Sequence, residues 1–188
     1  RTLDESLHRC SSTLVKHLKA DVVRIWHMDD RGVLLRSSPA AGRVARPLPV
    51  QTVRVGEYGI GRIAATAEPE VWTDGIPELW PGSLTAAEEE RLRGGAGHPL
   101  TKDGRVVGVV TMLLRDRPTD AQLDSLASIT DELALAIEHS RAQNAHRRSE
   151  ERYRQLVEAT VEGIVMHDRS GIIDVNPSIT RLTGYTAE

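Results

Sequence analysis

The chain has 188 residues, of which 39% are hydrophobic, and its interspersed charges sum to −3, so no large basic field is available for nucleic-acid binding. The single cysteine, Cys10, excludes an internal disulfide framework and a multi-cysteine metal site, as is ordinary for a cytoplasmic protein. No apolar run approaches the roughly 20 residues that cross a bilayer, so we expect a cytoplasmic protein without membrane contact in these residues.

The first predicted elements are a helix and a strand pair. The stripe of an amphipathic helix is formed by four leucines, Leu3, Leu7, Leu14 and Leu18. Val22–Met28 is rich in branched and aromatic residues, and a polar turn at residues 29–32 separates it from a second strand. Pro47 and Pro49 then predict a loop or a sheet edge over residues 43–49.

The middle of the chain alternates short elements with turns. Residues 53–66 predict a strand, a Gly-rich turn and a short helix, and residues 70–74 predict another short strand. Residues 76–84 contain two prolines and a glycine and should be irregular. Thr85, with Glu88 three residues later, predicts a capping box that starts a helix, which the glycines after Arg93 should end.

The last part of this region predicts a hairpin and a long helix. An Asp-Gly turn at residues 102–105 joins residues 98–100 to an apolar strand at residues 106–114. A helix should begin at Thr119 or Asp120 and continue unbroken to about Ala159. The fold class is therefore α+β, an antiparallel sheet flanked by helices, with a long C-terminal linker helix.

Three motifs in this order resemble a GAF domain over about residues 3–140. They are residues 20–26 with Asp29, the turn at residues 55–62, and Pro99 and Leu100 followed by residues 103–109. Tyr58 departs from the family's Gly-Glu-Gly-Ile-x-Gly turn. The resemblance implies a sensor domain that folds as an α+β sandwich.

The remaining residues resemble the start of a PAS domain. A charged helical stretch at residues 151–159 leads into two short apolar runs around a turn at residues 169–171, and Asn176 precedes Gly184 and Tyr185 at the family's spacing. We therefore expect a GAF-like domain at residues 1–140, a helical linker at 141–160 and an incomplete PAS domain at 161–188.

A GAF domain joined by a helix to a PAS domain is typical of bacterial sensor histidine kinases and cyclic-di-GMP signalling proteins. The resemblance implies a non-catalytic sensory region with a kinase or cyclase output domain elsewhere in the same chain; the alternative is a dimerisation spacer without a ligand. His146 lacks the acidic residue and the Pro-containing sequel of a phosphoacceptor histidine. Free-methionine-sulfoxide reductases share the GAF fold, but they depend on catalytic cysteines near the pocket.

A ligand pocket is implied by the same resemblance. Alternation places Arg24 and Trp26 on one face of the first strand, and Val23 and Ile25 on the other. By resemblance, the pocket is lined by Arg24, Trp26, Arg36, Ile60, Ala64, Trp72 and Thr111. A buried guanidinium requires an answering group, either a small anionic or aromatic ligand or an internal partner such as Asp74, Glu57 or a backbone carbonyl.

The cofactor is unknown. A covalent bilin is not expected, because Cys10 lies on the first helix, and haem bound through His27 or His98 has no supporting pattern. The seven histidines are scattered without metal-ligand spacing, so no metal is expected.

The linker helix carries a predicted homodimer contact. Its seam is formed by Leu126, Ile129, Leu133 and Ile137. Beyond Ile137 the same positions become polar, at Ser140, Asn144 and Arg148, which suits a helix that switches between states. The alternative is that the stripe packs on the sheet of its own domain.

Overall fold

The computed structural model describes residues 3–43, 51–89, 91–159 and 162–184. The chain divides into two compact units, Arg1–Ser140 and Arg141–Glu188. Within the described residues, no helix combines the length and the apolar character that crossing a membrane requires.

The first unit is built on one antiparallel sheet, as the sequence predicts. Its strands are β1 (Val22–Met28), β2 (Leu34–Ser37), β3 (Ala41–Gly42), β4 (Thr52–Arg54), β5 (Glu70–Trp72), β6 (Gly94–Lys102) and β7 (Arg105–Leu114). Its helices are α1 (Leu3–His17), α2 (Tyr58–Thr66), α3 (Ser83–Glu89), α4 (Asp120–Ser128) and the start of α5 (Thr130–Ala159). The strand order is β4-β2-β1-β7-β6-β5, with β3 paired to β1.

The two faces of this sheet carry two separate cores. The helix-side core includes Leu7, Leu14, Val23, Ile25, Val110, Leu126, Leu133 and Ile137. The tryptophan-side core includes Trp26, Ile60, Ile63, Trp72, Leu79, Trp80 and Val109. Successive residues of a strand point to opposite faces, so β1 contributes Ile25 to the first core and Trp26 to the second.

The hairpin of β6 and β7 is confirmed. Asp103 and Gly104 form its two-residue turn, with φ values of 49° and 74°. Two positive φ values are what the favoured two-residue hairpin turn needs, and the Asp-Gly sequence accommodates them. Between the turn and the middle of the sheet the register shifts by one residue at Leu100 and Thr101, and beyond this bulge His98 lies opposite Val110.

The predicted capping box at Thr85 is wrong. Helix α3 begins two residues earlier, at Ser83, so Thr85 lies inside the helix. Gly94 and Gly95 do not end that helix, because they are the first residues of strand β6. A Cβ on Gly95 would overlap the carbonyl oxygen of Met112 on the neighbouring strand, so this glycine permits close strand contact.

The expected continuous helix after residue 119 is divided in two. Helix α4 begins as expected: the Thr119 hydroxyl accepts from the Gln122 amide, and the Gln122 side chain accepts from the Thr119 amide in return. Ile129 then interrupts the helix, with φ −100° and ψ −4°. Thr130–Ala159 forms α5.

The second unit contains the C-terminal part of α5, a hairpin of β8 (Val165–Asp168) and β9 (Gly171–Val175), and α6 (Pro177–Thr183). These elements follow the order that the PAS resemblance implies. The buried Asn176 lies between β9 and α6. Tyr185, which completes the expected motif, and most of the predicted loop at residues 43–49 lie outside the described residues.

Candidate functional site

Most of the predicted pocket residues lie together on the tryptophan side of the sheet. Trp26, Ile60, Ala64 and Trp72 belong to one buried core. Arg24 and Thr111 are fully buried and face each other across the β1–β7 pair. The Thr111 hydroxyl donates to the Arg24 carbonyl oxygen over 3.2 Å, which joins the two strands at this point.

Arg36 does not join this group, and its place in the predicted pocket is wrong. It lies opposite His27 in the β1–β2 register, and residues directly opposite on paired strands share one face of the sheet. The His27 ring lies 3.5 Å from the Asp4 carboxylate of α1, so this face is the helix side. Arg36 is exposed there.

Hydrogen bonds and two aromatic rings hold the Arg24 guanidinium. Nη2 donates to the Ser37 hydroxyl over 2.9 Å, and Nε donates to the Ser38 carbonyl oxygen over 3.5 Å. Its central carbon lies 5.0 Å from the Trp26 ring centroid and 5.1 Å from that of Trp80. Both distances are within the range of cation–π attraction.

Burial dominates the electrostatics of this arginine. It lowers the pKa of Arg24 to about 10, because a low-dielectric surrounding disfavours the charged form. Of the expected internal partners, the backbone carbonyl is the one observed, at Ser38. Asp74 pairs instead with Arg117, and Glu57 lies 3.7 Å from Arg54. The guanidinium remains protonated at neutral pH.

Trp80 is a member of the site that the sequence did not identify. Its ring centroid lies 5.6 Å from that of Trp26, with the planes tilted by 44°, and the residue is 3% exposed. Among the described residues, the buried indole Nε1 of Trp26 has no hydrogen-bond acceptor. We call Arg24, Trp26, Trp80 and Thr111 the Arg24 cluster.

Trp72, the remaining tryptophan of the chain, is held by an ion pair beside the Arg24 cluster. Its indole nitrogen donates to Glu70 over 3.2 Å, while Arg62 of α2 binds the same carboxylate through two bonds of 2.7 and 2.9 Å. The hydrogen bond from Arg62 is the main cause that lowers the pKa of Glu70, and the pair raises the pKa of Arg62. This clamp holds α2 against β5.

The predicted dimer seam lies in the helix-side core. Leu126, Leu133 and Ile137 are 1%, 6% and 0% exposed, and Ile129 packs against the same core while partly buried. These side chains therefore contact their own sheet and are not available to a second chain. The exposed large apolar residues of α5 are Leu135, Tyr153 and Leu156.

The chemistry of the remaining candidates is limited. Cys10 is half-buried on α1 against the helix-side core, on the other face of the sheet from Arg24. In the part of the chain that the structure describes, no three His, Cys, Asp or Glu side chains cluster as a metal site requires.

An antiparallel sheet with long helices on one face and a short helix over a buried polar cluster on the other is an α+β sandwich. The GAF domain family matches residues 1–138, and the chain belongs to that family. The PAS domain family matches residues 151–188. Together these matches confirm the predicted GAF and PAS order; the division at residues 140 and 160 stays a prediction.

Solved GAF structures share the fold. The GAF domain of a phosphoenolpyruvate-protein phosphotransferase from Coxiella burnetii is 20% identical, with TM-score 0.62, covering 77% of this chain and 87% of that one. Residues 122 to 287 of a methyl-accepting chemotaxis protein are 21% identical, with TM-score 0.61, covering 76% and 92%. At these identities the likeness shows the fold alone.

The similar structures include enzymes. Free methionine-R-sulfoxide reductase from Neisseria meningitidis, in complex with its substrate, is 21% identical, with TM-score 0.53, covering 73% of this chain and 80% of that one. GAF and PAS domains are generally regulatory. A comparison with curated proteins finds no match.

Proposed function

We propose that this chain is the sensory region of a signalling protein, in which the Arg24 cluster binds a small anionic or aromatic ligand and α5 relays the bound state within a homodimer. The observation that carries the proposal is a fully buried arginine between two indole rings. A kinase or cyclase output domain in the same chain and a cytoplasmic location stay predictions.

The ligand class follows from the chemistry of the cluster. A guanidinium binds carboxylate and phosphate groups through paired hydrogen bonds, and these bonds strengthen where water is excluded. The indole face of Trp26 favours a planar aromatic group, and Nε1 of Trp26 offers a further donor to an acceptor on the ligand.

A short physical path leads from the cluster to α5. Arg24 and Trp26 alternate along β1 with Val23 and Ile25, which belong to the core that also contains Leu126 of α4 and Leu133 of α5. A displacement of β1 on ligand binding would therefore be felt by the first turns of α5. Small shifts of this kind are amplified when a packed helix has two alternative positions.

The proposed homodimer uses a different surface from the predicted seam. Because Leu126, Leu133 and Ile137 pack on their own sheet, the contact between two copies has to use another surface, such as the exposed side of α5 that carries Leu135. Light scattering across a concentration series tests this part: a monomer at the highest concentration would refute the dimer without touching the ligand site.

A second candidate function is a dimerisation spacer that binds nothing. The observation in its favour is that side chains fill the neighbourhood of Arg24: Trp26, Ile60 and Leu79 are each 0% exposed, and Ser37 and Ser38 accept hydrogen bonds from the guanidinium. A spacer would use Arg24 only to join β1 to the segment after β2.

Thermal-shift measurements distinguish the two candidates. Nucleotides, inorganic phosphate and aromatic carboxylates are the probes, and a ligand at a hundredfold excess over its Kd adds about 2.7 kcal/mol, or roughly 5–10 °C in Tm for a domain of this size. We expect Arg24→Met to abolish the shift and Arg36→Met, on the opposite face, to retain it. If no probe raises Tm, or if Arg24→Met keeps the full shift, the spacer is the better description.

A further inference from the structure

A short segment covers the Arg24 cluster, and we call residues 76–80 the strap. Its last two residues, Leu79 and Trp80, are 0% and 3% exposed, whereas Glu78 is exposed. Trp80 is the residue of the strap that belongs to the cluster, since its ring lies against both Arg24 and Trp26. Access to the guanidinium on this side is controlled by where the strap lies.

The strap is bound to the start of α2 by two backbone hydrogen bonds. The Gly59 amide donates to the Glu78 carbonyl oxygen over 3.0 Å, and the Ile60 amide donates to that of Leu79 over 3.2 Å. The first amides of a helix have no partner within the helix, so the strap satisfies donors that need an external acceptor. A ligand acceptor or water would satisfy the same donors once the strap moved away.

Gly59 allows this close approach. A Cβ at Gly59 would lie 2.6 Å from Cδ2 of Leu79 and 3.4 Å from its Cα. On its far side the strap is closed by Ser83, whose hydroxyl accepts from the Leu79 amide over 2.8 Å and from the Trp80 amide over 3.2 Å. The strap is therefore a compact piece with a few directed contacts.

Two glycines border the strap, and both have positive φ. Gly75 has φ +120° and Gly82 has φ +79°, and a Cβ on either would meet no atom within 4 Å. Space does not require glycine at these positions, so backbone conformation does. Glycine is also the residue that absorbs a large change of φ and ψ at the least cost, as hinge positions must.

We infer that the strap is a lid that opens as one piece by rotation at Gly75 and Gly82, and that its opening withdraws Trp80 and exposes Arg24 to the aromatic or anionic group of a ligand. The use of the lid rests on the proposed ligand site, but its motion does not. The closed state satisfies the Gly59 and Ile60 amides and places an aromatic ring on Arg24, so the strap occupies the place that the ligand takes.

Amide hydrogen exchange of the unliganded chain tests the motion. If the strap opens as one piece, the Gly59 and Ile60 amides exchange at one common rate, at least about tenfold faster than the amides of β1 that are bonded to β7. If they exchange only as slowly as those central amides, opening requires global unfolding and the lid is overturned.

A matched pair of glycine variants tests the hinge. Ala at a positive φ is strained, so Gly82→Ala should weaken the closed state and speed exchange of the Gly59 and Ile60 amides by about fivefold, with the β1 amides unchanged. Gly32→Ala, at φ +69° in the β1–β2 turn with no atom within 4 Å, is the control and should leave these two amides unaffected. Equal effects of the two variants would overturn the hinge.

The outcome for the lid is separable from that for the ligand site. Coupled, fast exchange at Gly59 and Ile60 with no probe raising Tm supports the lid and refutes the proposed ligand. A Tm shift lost in Arg24→Met, together with global exchange at both amides, supports the ligand and overturns the lid.

Discussion

Replacing Asn176 with alanine should unfold the second unit while leaving the first intact. The side chain is 3% exposed and makes four hydrogen bonds. Nδ2 donates to the carbonyl oxygens of Val157 and Glu162 over 3.0 and 2.9 Å, and Oδ1 accepts from the amides of Ile164 and Ile179 over 2.9 and 3.3 Å. One amide group thus joins the end of α5 to β8 and α6.

The magnitude follows from what each partner loses. The Ile179 amide keeps a second acceptor, the Asn176 carbonyl oxygen at 3.0 Å. The other three partners lose a bond worth about 1 kcal/mol each. Asn176→Ala should therefore cost about 3 kcal/mol, which is a large part of the whole stability expected for a unit this small.

Hydrogen exchange read by mass spectrometry gives the assay. Peptides covering β8 and β9 should lose protection in Asn176→Ala, whereas the fluorescence of the three tryptophans, all within the first unit, should not change. Asn144→Ala is the control, because Asn144 is half-buried on α5 and makes no side-chain hydrogen bond with the described residues. Wild-type protection of β8 and β9 in Asn176→Ala would refute the reasoning.

Three further predictions concern the first unit. Glu70→Gln should cost about 1 kcal/mol at neutral pH, since its ion pair is half-exposed. Because the pKa of Glu70 in the folded protein lies below its unfolded value of 4.5, the ion pair contributes stability that is present above pH 4.5 and is lost as the pH falls through the folded pKa. Acid titration of Glu70→Gln should lack this loss of stability. Gly42→Ala should prevent folding, because at φ +120° its Cβ would overlap a backbone carbonyl, whereas Gly32→Ala should cost about 1 kcal/mol by urea denaturation. Leu133→Ala should cost about 2–5 kcal/mol and leave the oligomeric state unchanged, and Leu135→Ala, at a 58% exposed site, should cost under about 0.5 kcal/mol. A change of oligomeric state in Leu133→Ala would instead support the predicted seam.

The parts of the fold that local chemistry determines could be predicted from the sequence. Asp103 and Gly104 specify a two-residue turn by their own conformational preferences. The alternation along β1 correctly separates Arg24 and Trp26 from Val23 and Ile25, because strand geometry leaves no other arrangement once one residue faces a core. Neither inference needs knowledge of a distant partner.

The parts that depend on distant partners could not be predicted. Gly94 and Gly95 have the same local signature whether they end a helix or permit close strand packing, and only the position of β7 distinguishes these roles. The face of the sheet on which Arg36 lies depends on the β1–β2 register, and the sequence of the turn at residues 29–32 does not determine that register. Trp80 lies in an irregular segment without periodicity, so its burial had no sequence signal beyond the adjacent Leu79.

The free energy that the burial of the charged Arg24 side chain costs bears on the proposed response to a ligand. Burial lowers the pKa of Arg24 to about 10, and in the proposed function an anionic ligand would offset part of the free energy that this burial costs. Arg24 lies on β1, and the Thr111 hydroxyl of β7 donates to its carbonyl oxygen, so a ligand at Arg24 would act on both strands. The opposite face of those strands packs against α4 and α5 in the helix-side core. If the proposed ligand binds Arg24, it acts on the strands that support α5, so we expect sensing and relay to meet at this shared pair of strands rather than at a polar seam beyond Ile137.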